Sequence, residues 1–370
     1  MDREIITDGQ AFCIAAFFIM GSTLIVGTGR GAQNDMWISI IAGVVMALPV
    51  VLLYARLLSL FPGKDLFDIV HILFGKFVGK LIALLYVWYA FQLGALVIRN
   101  FGEFINTVAM PETPFLVPML LITVLSIWTV KGGIEVMGRS AIFLLPIAML
   151  VIMITHILAM HQYNVSFLKP VLNKGWKPVL KGASSAFSFP FGETILFTGI
   201  FYSLRKKNSP YRVYLWGLLF GGGVILIVTI RNITVLGAKM LERLYFPSYV
   251  AVARISVGDF IQRIEVTVAI IFVTATFVKI SVCLLAACNG IGKLLDLQNY
   301  RSVVVPVGLL MVYLAYFIYD GISEMQLWAT EIYPIYAFPF QVVLPVLIWI
   351  AAEIKARKRK GPACSLREHG

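Results

Sequence analysis

The sequence predicts an all-α integral membrane protein of about ten transmembrane helices, arranged as two inverted five-helix repeats whose first helices are broken. The first supporting observation is composition: 59% of the 370 residues are hydrophobic and 14% are charged, with a mean hydropathy of +0.87. A soluble domain is about half apolar and about a quarter charged, so a soluble enzyme is excluded. The second is that apolar residues gather in stretches as long as a bilayer is thick. The third is that the first and sixth stretches are interrupted by helix-breaking residues.

A membrane-spanning helix needs about 20 mostly apolar residues. Eight stretches without Asp, Glu, Lys or Arg approach or reach this length, and two more reach it with a single charge inside, Glu193 or Lys279. In chain order the predicted spans are 11–29, 36–55, 81–98, 113–130, 140–158, 182–204, 213–230, 266–292, 302–319 and 332–352. We therefore expect one membrane domain over residues 1–370, with repeats at 11–160 and 182–355 and a basic cytoplasmic tail at 356–370.

The distribution of basic residues predicts the orientation. Nineteen of the 31 Lys and Arg residues fall in loops and termini on one side, nine fall on the other, and three lie in or at the ends of spans. Cytoplasmic loops carry the excess of Lys and Arg, so both termini are predicted to be cytoplasmic. The net charge of +12 then reflects this bias and attraction to an anionic lipid bilayer, and no nucleic-acid partner is expected.

Catalytic and metal-binding patterns are weak. Three of the four cysteines lie in apolar spans, none forms a CxxC pair, and the four histidines are scattered, which predicts no disulfide framework and no metal site. The run from Gly27 to Gly31 ends a span and follows no strand, so it is not a dinucleotide loop. No Ser/His/Asp or Cys/His set is present, so we expect neither catalytic residues nor a cofactor.

Two breaks in hydrophobic helices are the strongest local signals. The first surrounds Gly21 in span one, and the second is centred on Pro190 and Gly192 in span six. Proline cannot donate its helical hydrogen bond and glycine loosens the turn, and in lipid the freed backbone groups need protein, water or ligand. Breaks at matching places in two halves indicate a transporter-type binding site. The predicted ligand-binding residues are Gly21, Ser22, Thr23, Tyr89, Gln92, Ser188, Phe189, Gly192, Glu193, Thr274 and Thr276.

Alternatives to this site remain open at the sequence level. The small residues of span one also suit a close contact between two helices. Tyr89 and Gln92 lie at helical spacing, and such a stripe serves core packing as well as a cavity wall.

Ionisable residues inside a bilayer are costly and mark functional positions. Glu193 and Lys279 lie mid-span, so we hypothesise that they are coupled directly, through water or through a ligand. The alternatives are a purely structural ion pair or a protonated Glu193. Arg99 and Glu103 are spaced four residues apart on one helix face, which suits either a second element of charge coupling or a local salt bridge.

Over roughly residues 5–355 the chain resembles the spore germination permease family, the B subunits of nutrient germinant receptors in endospore-forming bacteria. The residues that carry the resemblance are Phe189-Pro190-Phe191-Gly192-Glu193, Arg99 with Glu103-Phe104-Ile105, Met110-Pro111-Glu112-Thr113-Pro114, Gly27-Thr28-Gly29 with Gln33-Asn34-Asp35-Met36-Trp37-Ile38, and Phe61-Pro62-Gly63-Lys64.

The resemblance implies the LeuT-like fold of the amino acid–polyamine–organocation transporter superfamily, residence in the spore inner membrane, and a partner A subunit and lipoprotein C subunit. It also implies that the amine and carboxylate of a ligand dock at Gly21, Ser22, Thr23 and the segment from Phe189 to Glu193. Some superfamily members place a lysine amine at a sodium site from the fifth helix. Here the fifth span has no lysine and the eighth carries Lys279.

Three functions fit this sequence. In the first, which the resemblance favours, a nutrient-sensing receptor subunit binds a small nutrient germinant, an amino acid foremost, at the midplane between broken helices one and six and triggers germination through its partners. The second is an ion-coupled secondary amino acid transporter, which needs the same fold and cavity. The third is a structural membrane subunit with an empty site.

Overall fold

The protein is helical throughout the residues that its structure, a computed structural model, describes: 5–204, 206–255 and 264–360. Within these ranges seven helices are long and apolar enough to cross a membrane, and two shorter apolar helices and one broken segment complete a set of ten. They are α1 Asp8–Val26, α2 Met36–Leu60, α3 Leu66–Phe104, α4 Leu116–Gly132, α5 Ile134–Ala159, α6 176–199, α7 Ser209–Leu236, α8 Glu265–Leu294, α9 Val304–Phe317 and α10 Ile322–Lys358. The predicted number of spans is confirmed.

Local chemistry sets several helix ends. The Thr7 and Gln10 side chains cap α1 reciprocally, and Asp65 caps α3 by accepting the amide of Asp68 at 2.8 Å. Gly133, with φ of 92°, makes the tight turn between α4 and α5. Short helices Ala238–Leu241 and Pro247–Ala253 follow α7 on the predicted outer side.

Three helices form the interior of the bundle. In α1, α3 and α8, 72% of the most apolar window is buried, whereas the corresponding share is 28% in α5 and 33% in α2. The α8 helix packs along α3 and α1, while α7 packs against α1 and α2. Large apolar side chains on the outer helices remain exposed, as expected for surfaces that face lipid rather than water. The chain is therefore a multi-pass membrane protein.

Both predicted helix breaks are confirmed. The first part of α1 ends at Met20, Gly21 adopts φ of 29° and ψ of −136°, and the helix resumes at Thr23. In α6 the α-helix ends at Ala186, and Phe189 leaves helical geometry with φ of −136° and ψ of 105°. Beyond Pro190 the chain continues as the 3₁₀ helix Gly192–Gly199. The repeat boundaries at 11–160 and 182–355 stay predictions, and residues 361–370 of the predicted tail lie outside the described residues.

Candidate functional site

The two mid-span charges meet at the helix breaks. The Nζ atom of Lys279 on α8 lies 2.5 Å from Oε2 of Glu193 on α6, and both side chains are fully buried. The lysine stem passes the break in α1, where a Cβ atom at position 21 would lie 2.6 Å from its Cδ atom. Glycine at position 21 is therefore required both by the backbone conformation and by the space that Lys279 takes. The ion pair joins α8 to α6, and the stem of Lys279 lies against α1 at the same point.

A chain of hydroxyl groups satisfies the second oxygen of Glu193. The Tyr333 hydroxyl donates to Oε1 at 2.6 Å and lies 3.2 Å from the Tyr89 hydroxyl. Because the proton of Tyr333 is committed to Glu193, Tyr89 donates to Tyr333 and in turn accepts from Nε2 of Gln341 at 2.9 Å. The network therefore extends from α8 and α6 to α10 and α3. Breaking one member leaves a buried polar group without a partner, which is costly.

Two aromatic rings hold the ammonium group of Lys279. Its Nζ atom lies 5.0 Å from the ring centroid of Phe18 and 4.6 Å from that of Phe189. Such contacts with the ring face favour a cation, most of all when water is excluded. The ammonium is thus enclosed by one carboxylate and two rings, on α6 and on the first part of α1.

Protein side chains already bind the carbonyl groups freed by the break in α6. The Ser188 carbonyl accepts from Gln341 at 2.8 Å and the Phe189 carbonyl from Thr28 at 3.2 Å. The Tyr54 hydroxyl donates its one proton to the Gln341 carbonyl and lies 3.4 Å from the Gly192 carbonyl. A Cβ atom at position 192 would collide with the Gln341 side chain. The break is therefore tightly packed, and a solute has to bind beside it.

A cavity of about 120 Å³ lies above the ion pair. Phe189, Glu193 and Tyr333 contribute to its floor, and it extends past Gly27 and Ser185 to the predicted outer side. At its mouth, Lys181 on α6 and Glu331 on α10 form an exposed ion pair with a Nζ–Oε1 distance of 2.8 Å. The space suits a small solute with one face over the buried network.

The predicted ligand-binding residues divide into three groups. Phe189 and Glu193 line the cavity. A second group contacts Lys279 or the hydrogen-bonded side chains around Glu193, and it consists of Gly21, Gly192, Ser188 and Tyr89. A further group is buried, and its side-chain oxygens have no hydrogen-bond partner among the described residues; it consists of Ser22, Thr23, Gln92 and Thr276.

Thr274 bonds to the Ile270 and Ile271 carbonyls of its own helix and does not line the cavity.

Arg99 and Glu103 form the predicted ion pair, with an Nη2–Oε1 distance of 2.8 Å. Arg99 also donates to the Tyr316 carbonyl at 2.9 Å, near the end of α9, and its guanidinium lies 4.7 Å from the ring centroid of Phe115. These contacts fasten α3 to α9 at a distance from the hydroxyl chain. The role of Arg99 and Glu103 in charge coupling stays a prediction.

The sequence did not single out Tyr333, Gln341 or Tyr54 as site residues, nor Arg30, which lines the cavity. Gln341 carried the clearest available signal, since it is a polar side chain in a span without charges. Tyrosine is common in apolar spans, so Tyr333 and Tyr54 carried no specific signal. In the described part of the chain no group of three or more His, Cys, Asp or Glu side chains is placed to hold a metal ion.

Comparison with known proteins agrees with the resemblance described from the sequence. The family described as spore germination protein matches residues 5–324 of this chain. Spore germination protein KB of Bacillus subtilis (strain 168) is 28% identical over 369 residues, covering 97% of this chain and 98% of that protein.

Two solved structures share the fold. One is Mhp1, a nucleobase-cation-symport-1 family transporter in a closed conformation with bromovinylhydantoin bound. It aligns with a TM-score of 0.67 and 12% identity, covering 94% of this chain and 78% of that chain. The other is MhsT in complex with L-phenylalanine, with a TM-score of 0.64, 13% identity, and coverage of 94% of this chain and 95% of that chain. At these identities the likeness concerns the fold, which is the LeuT-like arrangement with broken first and sixth helices.

Proposed function

This chain belongs to the family of spore germination proteins, and from that premise we propose that it is the nutrient-sensing membrane subunit of a spore germinant receptor. It binds a small nutrient, an amino acid foremost, in the cavity beside the breaks of α1 and α6, and it triggers germination through an A subunit and a lipoprotein C subunit. It resides in the spore inner membrane with both termini in the cytoplasm. Its germinant arrives from the side on which the cavity opens.

The buried ion pair beneath the cavity is the observation that carries this proposal. A solute on the cavity floor touches Glu193 and Tyr333 directly, while Lys279 lies against the break of α1. Competition for either oxygen of Glu193 changes the balance of contacts that hold α6, α8 and α10 together. A ligand shifts a conformational equilibrium only through such a difference in contacts between two states. The signal then consists of movement of α6 relative to α1 and α8.

An ion-coupled amino acid transporter is the second candidate. The fold shared with Mhp1 and MhsT favours it, as does the placement of a protein ammonium group between two broken helices. A transporter has to alternate access to its cavity, whereas a receptor needs only two states of different ligand affinity. Counterflow of labelled amino acids in proteoliposomes separates the two: uptake against a preloaded solute identifies a transporter.

Germination of spores that carry only this receptor tests the proposal. Amino acids, sugars and nucleosides are screened, and the concentration for half-maximal germination is compared between wild type and Tyr333→Phe. Tyr333→Phe removes the hydrogen bond to Glu193, and a hydrogen bond to a charged group is worth about 1.5–3 kcal/mol. We therefore expect the concentration for half-maximal germination to change by about tenfold or more.

Tyr313→Phe is the matched control, since Tyr313 is 64% exposed on the outer face of α9. It should leave the response unchanged. If Tyr333→Phe spores contain normal receptor levels and respond at the wild-type concentration, the cavity floor is not the sensing site.

A further inference from the structure

The charges that line the cavity do not balance. Four charged side chains line it, namely Arg30, Lys181, Glu193 and Glu331. Lys181 neutralises Glu331, and Glu193 is neutralised by Lys279 from below. Arg30 is left with no carboxylate partner among the described residues. Among the described residues, the charges that line the cavity therefore leave one positive charge uncompensated.

Backbone oxygens hold Arg30 in place. The residue is only 9% exposed, and its guanidinium donates to the Leu244 carbonyl at 2.6 Å, to the Tyr245 carbonyl at 2.9 Å and to the Val26 carbonyl. Arginine has five N–H donors, so two remain without a partner in the described part of the chain. Carbonyl groups orient the guanidinium but do not neutralise it. The side chain is fixed, charged and still able to donate.

The amine-binding position of the cavity is already filled. A carboxylate such as Glu193 is the natural partner for the amine of a ligand, but the ammonium of Lys279 and the hydroxyl of Tyr333 occupy its two oxygens. An external amine gains little there unless it displaces a group that the protein supplies. The cavity is therefore better suited to bind an anion than a cation.

We infer that the germinant carries a carboxylate and that Arg30 binds it, which rests on the proposed function and specifies its ligand class. A charge-assisted hydrogen bond of this kind is among the stronger polar contacts in proteins. Uncharged sugars and nucleosides can accept only the weaker hydrogen bonds of neutral oxygens from Arg30, and amines without an acidic group are repelled by it.

The experiment uses purified full-length wild-type protein and measures the ligand concentration that raises the midpoint of thermal unfolding by a fixed increment, the same for every probe. The probes are the 20 common L-amino acids, each beside its carboxamide, together with glucose and inosine. Each carboxamide keeps the amine and side chain of its acid, removes the negative charge and replaces one acceptor oxygen by an NH2 donor. We expect at least one acid to act at a concentration about tenfold or more below that of its amide.

The variant Arg30→Gln shows whether Arg30 is the source of that preference. We expect the acid and the amide to act at similar concentrations on this variant, because its advantage for the acid is lost. If Arg30 merely holds the Leu244 and Tyr245 carbonyls, both probes weaken by the same factor and their ratio is retained, which overturns the inference. Arg30→Lys, which keeps the charge, should retain part of the preference and serves if the glutamine variant does not fold.

Arg243→Gln is the matched control, since Arg243 is an exposed arginine of the same loop region that does not line the cavity. It should keep the wild-type ratio of acid to amide. If amides equal their acids on wild type, or if only glucose or inosine acts, the carboxylate inference fails while the receptor function stands. If no probe acts and spores with only this receptor respond to none of these solutes, the proposed function fails.

Discussion

At the scale of single residues, Glu193 and Lys279 depend on each other. Each is fully buried, and each would be an isolated charge without the other. Removing one partner from a buried pair costs about 3–5 kcal/mol, whereas replacing both by neutral groups is often close to neutral. The sequence located both residues, because each is the lone charge of its span. It could not show that Tyr333 supplies the second hydrogen bond to Glu193.

A double-mutant cycle follows from this dependence. We expect Glu193→Gln and Lys279→Met each to reduce the free energy of unfolding by about 3 kcal/mol or more, because each strands one charge. The double variant should lose clearly less than the sum of the two. Residual folded protein after heating in detergent, read by size-exclusion chromatography, measures the effect.

Lys181→Met provides the comparison, since it removes an ion pair whose side chains are 64% and 51% exposed. Its effect should stay below about 1 kcal/mol. Additive losses in the cycle would show that Glu193 and Lys279 are energetically independent.

Asp65, the cap of α3 on the predicted cytoplasmic side, gives a second prediction at this scale. Burial, reinforced by the negative charge of Asp68, raises the pKa of its carboxyl to about 6, against the opposing charge of Lys293. The folded protein thus keeps the proton up to about pH 6, whereas the unfolded chain releases it near pH 4. The contribution of Asp65 to the free energy of unfolding therefore falls as the pH rises from about 4 to about 6 and is constant above.

Asp65→Asn keeps the helix cap but cannot ionise. Relative to wild type, this variant should gain on the order of 2 kcal/mol between pH 4 and pH 6, measured as the difference in thermal midpoint across that interval. The control is Asp296→Asn, where the side chain is 86% exposed, and its curve should run parallel to wild type. A parallel curve for Asp65→Asn would contradict the assignment.

At the scale of elements, the two broken helices serve different purposes. The break in α1 makes room for the stem of Lys279, while the break in α6 turns two carbonyl groups toward protein donors. The sequence predicted both breaks, because glycine and proline limit local geometry in known ways. It could not predict which side chains would bind the freed carbonyls, because Thr28 and Gln341 come from distant parts of the chain.

Gly21→Ala tests the first of these purposes. Position 21 has φ of 29°, and the added methyl group would lie 2.6 Å from Cδ of Lys279 and 2.9 Å from the Phe18 carbonyl. We expect a loss of about 2 kcal/mol or more in the free energy of unfolding, together with a weaker germination response.

Gly223→Ala on α7 is the matched control, because a Cβ atom there meets nothing within 4 Å. Alanine is a better helix former, so this change should be neutral or stabilising by up to about 1 kcal/mol. Equal effects of the two substitutions would mean that the geometry of the α1 break is not constrained by Lys279.

At the scale of the whole molecule, composition and long apolar stretches were sufficient to predict about ten helices, and glycine and proline predicted the two breaks. The cavity was not predictable in the same way, because its walls combine residues from α1, α3, α6, α10 and the loop after α7. Arg30 illustrates the reason. In sequence it is one of nine basic residues on the predicted outer side, and only the fold shows that it is buried with no carboxylate partner in the part of the chain that the structure describes.

The central claim is that a nutrient enters the cavity from the outer side and binds above the Glu193–Lys279 pair. Ser185 lines this cavity and is partly exposed, so Ser185→Cys places a thiol inside it. The parent protein, which has four cysteines, measures the background labelling. Cys13 is half-buried, Cys283 and Cys288 are buried, and Cys364 lies outside the described residues.

The measurement is the rate at which a membrane-impermeant maleimide labels Ser185→Cys in right-side-out vesicles, with and without the nutrient identified by germination. We predict labelling without permeabilisation, slowed by the nutrient at the concentrations that trigger germination. Labelling only after permeabilisation, or a rate that saturating nutrient does not change, would contradict the account.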